Sequence, residues 1–137
     1  YRMSAVNTYY IQNRSLSTSV STADFTYLVH QYAQFTAHSQ VKLQEWRYTG
    51  SFSSSVDYEV ELWNITILES SPVPSAAEKV GDTQTVSATA YAIYSIGQDD
   101  LSFTLAAGHQ LYLLKRYTSG SGTKYVYEST SLEFEII

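Results

Sequence analysis

From residue 56 the chain alternates strictly: Val56, Tyr58, Val60 and Leu62 are apolar, and Asp57, Glu59 and Glu61 between them are acidic. Side chains of a β-strand point to opposite faces with a period of two, so this is a strand with one face in a core and one in water. A helix with this pattern would carry the acids round into its apolar stripe. The same signature closes the sequence, where Leu132, Phe134 and Ile136 alternate with Glu133 and Glu135. So apolar an end calls for a partner strand inside a sheet.

Other segments read the same way. Residues 41–52 put Val41 and Leu43 on one face with Trp46, Tyr48 and Phe52 only if the phase slips by one residue at Gln44-Glu45, as at a β-bulge. Residues 111–117 are a near-continuous apolar run, residues 118–123 a Ser/Gly connection, and residues 124–127 resume the aromatic pattern, which predicts a hairpin. Leu111 to Leu114 place apolar groups on both faces of one strand, which is then either central in a sandwich or covered by another subunit. Val80-Gly-Asp-Thr83 predicts a tight turn, residues 85–97 a strand plus a corner, and Leu101, Phe103 and Leu105 a further strand. Pro72 and Pro74 mark a surface loop. In residues 24–32 a helix competes, since Phe25, Leu28, Val29 and Tyr32 fit its spacing, but β-branched and aromatic residues favour a strand.

Thirteen tyrosines, one methionine and an aromatic share of 15% agree with an all-β chain. With 137 residues, 44% of them hydrophobic, one packed core is expected. The expected fold is an antiparallel two-sheet β-sandwich, jelly-roll-like, of roughly eight strands. It spans residues 25–137, with residues 1–24 an N-terminal arm or first edge strand. The sequence begins at Tyr1 and not at methionine, which leads us to expect a processed or truncated product.

A formal charge of -5 without a Lys/Arg cluster argues against a nucleic-acid partner. No run approaches the roughly 18 apolar residues of a membrane span, so no membrane partner is expected. The absence of cysteine removes thiolate chemistry. His30, His38 and His109 are too far apart in sequence to form a local metal site, and ordinary surface or turn roles are favoured. Asp57, Glu59 and Glu61 would join Glu133 and Glu135 in an acidic patch only if their strands were neighbours; a solvated face is favoured. The serines form no nucleophile elbow and no phosphate loop. Asn13 and Asn64 head glycosylation sequons. No catalytic residue, metal or cofactor is therefore expected.

The aromatics remain. Trp46, Tyr48, Trp63, Tyr112, Tyr117, Tyr125 and Tyr127 exceed what one small core needs. Simple core packing is the first reading; those on outer faces would mark a subunit interface next, or thirdly a sugar-stacking platform.

The pattern Leu105-x-Ala-Gly-His-x-Leu-Tyr-Leu113, the Gly/Ser connection, the aromatic strand and the terminal Leu-Glu-Phe-Glu-Ile136 resemble the closing strands of trimeric jelly rolls of the tumour necrosis factor and complement-head type. With Lys42-Leu-Gln-Glu-Trp46, Asp57-Tyr-Glu-Val-Glu-Leu-Trp63 and Val80-Gly-Asp-Thr-Gln-Thr-Val86, they look still more like β-sandwich domains of tailed-phage virion surface proteins, as in marine and cyanobacterial phages. The resemblance covers residues 25–137. His109 stands where related jelly rolls often carry Asp. What the resemblance implies is a non-enzymatic structural virion protein at the virion surface: a homotrimeric capsid decoration protein or fibre head. Its partners would be its own copies and other virion proteins, such as a major capsid protein or a fibre shaft. The alternatives are an extracellular carbohydrate-binding adhesion module that meets a cell-surface glycan through exposed Trp or Tyr, and a filament subunit joined by strand addition.

Overall fold

The computed structural model describes residues 7–20, 26–27, 34–65 and 77–136, and every regular element among them is a β-strand. In chain order these are β1 (Asn7–Val20), β2 (Thr26–Tyr27), β3 (Gln34–Thr36), β4 (Val41–Phe52), β5 (Val56–Ile65), β6 (Ala77–Ala88), β7 (Tyr94–Gln98), β8 (Phe103–Leu105), β9 (Gln110–Ser119) and β10 (Gly122–Ile136). Of the predicted strand at residues 24–32 only β2 lies within the described residues, and the proline loop lies outside them.

The strands form two antiparallel sheets of five. Sheet A runs β1-β10-β4-β7, with β8 also on β4; sheet B runs β2-β9-β5-β6, with β3 also on β9. Counting β2 with β3 and β7 with β8 as interrupted single strands turns ten into eight. Their order is then first, eighth, third, sixth against second, seventh, fourth, fifth. That interleaving, with the chain crossing repeatedly between two sheets, is a jelly roll.

The alternations explain the sides. Val56, Tyr58, Val60 and Leu62 of β5 are at most 2% exposed and meet Leu43, Trp46, Tyr48 and Phe52 of β4 in the core between the sheets. Each large apolar side chain so buried contributes roughly 1.5–3 kcal/mol. The phase slip at Gln44 is a bulge: Leu43 pairs with Phe134 and Glu45 with Glu133, so Gln44 has no register partner.

Two predicted local structures are corrected. The Ser/Gly connection after β9 does not close a hairpin. β9 pairs with β5, β2 and β3 in sheet B, whereas β10 pairs with β1 and β4 in sheet A, so the connection is a corner between sheets. β10 is also one strand where two were expected, because the inward positions Glu128 and Thr130 interrupt its apolar series without ending it. Second, Val80 to Thr83 is not a turn between elements. It is an irregularity within β6, where Val60 pairs with Gln84 and Leu62 with Val80. Gly81 takes φ 76° there, and the Asp82 N–H donates to Gln98 Oε1 at 2.7 Å.

The two-sided burial of β9 arises within the chain. Leu111 and Leu113 join the central core, while Tyr112 and Leu114 join Ile65, with Trp63 packed against them, in a second cluster on the other face. No second subunit is needed to cover it.

Candidate functional site

The seven aromatics named from the sequence do not form one site. Trp46 and Tyr48 are 0% exposed in the intersheet core, which corrects their reading as interface or stacking residues: the bulge at Gln44 turns both inward. Tyr112 is likewise buried, its hydroxyl donating to Gln110 Oε1 at 3.0 Å. Trp63 is half-buried, and its indole N–H donates to Glu61 Oε1 at 3.1 Å. Tyr117 is half-buried with its ring edge-on to Phe52, centroids 6.0 Å apart. Trp46, Tyr48 and Tyr112 are therefore closed to a ligand, and Trp63 and Tyr117 are only partly exposed.

Tyr125 and Tyr127 are 73% and 44% exposed on the outer face of sheet A, at successive outward positions of β10. Antiparallel pairing sets Ser17 and Ser15 of β1 beside them on one side. On the other side Ser51 of β4 lies across from Tyr127, and the Ser53 hydroxyl accepts from the Tyr125 N–H at 2.9 Å. Tyr91 completes the arrangement. Its N–H donates to the Phe52 carbonyl at 2.7 Å, which holds the residue at φ 61° with its ring exposed. A left-handed conformation is strained for an aromatic residue, and such strain concentrates at working sites. Together these side chains line an open groove of about 450 Å³ that carries no charged group. Sequence reasoning missed Tyr91 because nothing local distinguishes a tyrosine in a corner from one in a strand.

Further along the same face, β1 exposes Tyr9 and Ile11, and the Tyr9 hydroxyl donates to Glu133 Oε2 at 2.5 Å. That hydrogen bond raises the Tyr9 pKa. Among the described residues, the second edge of β1 bears no partner strand.

The acidic groups do not merge into one patch, because β5 lies in sheet B and β10 in sheet A. Glu59 pairs with Arg116 at 2.7 Å, Glu61 with Lys79 at 3.6 Å, and Asp57 accepts from Ser119 at 2.8 Å. A second groove on sheet A, about 530 Å³, gathers Glu45, Asp99, Asp100, Glu133 and Glu135 around Arg47. Among the described residues no three His, Asp or Glu side chains come together as a metal site. His38 and His109 stand apart from such groups, and His30 lies outside the described residues. Of the sequon asparagines, Asn13 is exposed, whereas Asn64 is buried and donates to Glu78 at 3.1 Å.

The interior holds an ion pair that sequence reading did not find. Lys115 of β9 meets Glu128 of β10 across the sandwich, and the two are 4% and 3% exposed. The Tyr48 hydroxyl donates to Glu128 Oε1 at 2.8 Å. Burial alone would lower the Lys115 pKa, but the adjoining Glu128 carboxylate reverses this and the pKa stands above its ordinary value. Burial first, then the charge of Glu128, pushes the Tyr48 phenol well above its own.

No known protein family and no curated protein matches the chain. Among solved structures it is similar to a chain of infectious bursal disease virus, Gx strain, at TM-score 0.48 and 14% identity over 97% of its length. A chain of the T13 viral particle of the same virus gives 0.35 and 10% over 96%. A chain of desmodium yellow mottle tymovirus gives 0.24 and 8% over all of it, spanning 94% of that chain. The present chain spans about a third of each of the first two, 32% and 36%. At these scores none of the three adds to what the strand order already establishes.

Proposed function

We propose that the chain is a non-enzymatic structural protein of a virion, a homotrimeric capsid decoration protein or fibre head, and that the outer face of sheet A is where copies meet. The observation that carries this is the exposure of Tyr9, Ile11, Tyr125 and Tyr127 along adjacent strands of that face, apolar surface that the chain itself leaves uncovered. The jelly-roll order supports it at the level of fold, since that architecture recurs in viral shell domains and in lectins. The virion setting rests on the resemblance of the sequence motifs.

An arginine on this face should obstruct association. Ile11→Arg and Tyr127→Arg are expected to weaken self-association roughly tenfold or more, the effect of losing an interface anchor. Thr85→Arg, at an exposed position of sheet B, should leave it unchanged. Equal behaviour of all three in sedimentation velocity would contradict the assignment of the face.

The uncharged groove at Tyr91, Tyr125 and Tyr127 favours a second reading, an adhesion site for a neutral glycan. Aromatic rings flanked by hydroxyls suit the apolar face and polar rim of a sugar. A glycan-array signal lost in Tyr125→Ala supports it; the absence of any signal from wild type removes it.

A further inference from the structure

We propose that Lys115 and Glu128 condense to an amide, a covalent bond that staples sheet B to sheet A through the core. Each side chain is almost completely buried, each comes from a different sheet, and they are in direct contact. Aromatic rings enclose the amine: Nζ lies 5.1 Å from the ring centroids of Phe52 and Tyr117, 5.8 Å from Tyr58 and 5.9 Å from Tyr48. The Tyr48 hydroxyl and this wall of rings surround a pair that in water would be hydrated on all sides.

The geometry supplies what condensation needs. Proton transfer from the Lys115 ammonium to the Glu128 carboxylate gives a neutral amine beside a neutral acid, and a dry interior narrows the gap between the two forms. The Nζ lone pair then attacks Cδ of Glu128, forming the C–N bond. Charge developing on Oε1 is met by the Tyr48 hydroxyl, already donating to that oxygen. The C–O bond to the other carboxyl oxygen breaks, and that oxygen leaves as water with two protons that began on the ammonium. Ammonium and carboxylate thus become amide and water, with no oxidant, reductant or further reactant. Fixing the two groups in contact replaces a bimolecular encounter with an intramolecular one. The water formed passes to bulk solvent as the structure fluctuates, and an interior that holds little water favours the amide over the hydrolysed pair.

The proposal is independent of the virion reading and is tested on the wild-type chain alone. Intact-mass spectrometry under denaturing conditions should find the protein lighter than its sequence by one water. Trypsin should fail to cut after Lys115 and yield a branched species joining residues 80–116 to residues 125–137. Lys115→Arg keeps a cation but has no amine to condense, and should show the full mass of its sequence. A wild-type mass equal to the sequence, with a free tryptic peptide ending at Lys115, would overturn the assignment.

Discussion

Lys115 and Glu128 sit where most sandwiches would place two apolar side chains, and the molecule keeps them by giving each a partner. Removing only one is therefore costly. Lys115→Met removes the partner of Glu128, ionic or amide-bonded, leaves its carboxylate buried alone, and should destabilise by about 3–5 kcal/mol or more, read from the urea midpoint. Lys115→Met combined with Glu128→Leu should be more stable than the single variant, since no charge is stranded. The buried phenols make a separate prediction about pH. Burial raises Tyr48 well above the ordinary 10.0 and raises Tyr58 also. The folded chain holds both protons after the unfolded chain has lost them, so their contribution is complete below pH 10.0 and falls above it. The slope is about 1.4 kcal/mol per pH unit for each phenol, and Tyr58→Phe should reduce it in alkaline urea titrations.

At the scale of elements, β4 is the strand on which sheet A depends, holding β10 on one side and β7 and β8 on the other. Gly97 lets β7 approach. Its φ is 156°, and a Cβ there would fall 2.0 Å from the Trp46 carbonyl oxygen. Gly97→Ala should push β7 off β4 and cost on the order of 1–3 kcal/mol, seen as a lowered melting temperature and faster amide exchange at Ser95 and Gly97. Much of this scale was legible in the sequence. The alternations at Val56 to Leu62 and Leu132 to Ile136 were readable because their acids fall on one face, and the slip at Gln44 showed the bulge. The corner after Ser119 was not readable, because a Ser/Gly connection looks the same whether the next strand pairs with the last or crosses to the other sheet. Glu128 stayed hidden for a related reason. A charge at an inward position interrupts the apolar series, and only a lysine on the opposite sheet makes it a core residue. Trp46 and Tyr48 were placed on the correct face of their strand, yet their number suggested a surplus that the core in fact absorbs.

For the whole molecule, the two sheets divide the work. Sheet B turns its acids into internal pairs and buries its second apolar cluster within the chain. Sheet A leaves tyrosine and isoleucine in the open along β1 and β10. On the proposed account copies of the chain cover this face, and on the second reading a sugar occupies the Tyr125 groove. The measurement that separates them most directly is the native mass by light scattering over a wide concentration range. The account predicts three times the 15.4 kDa chain, persisting on dilution. A mass that stays at 15.4 kDa at the highest concentration would contradict it.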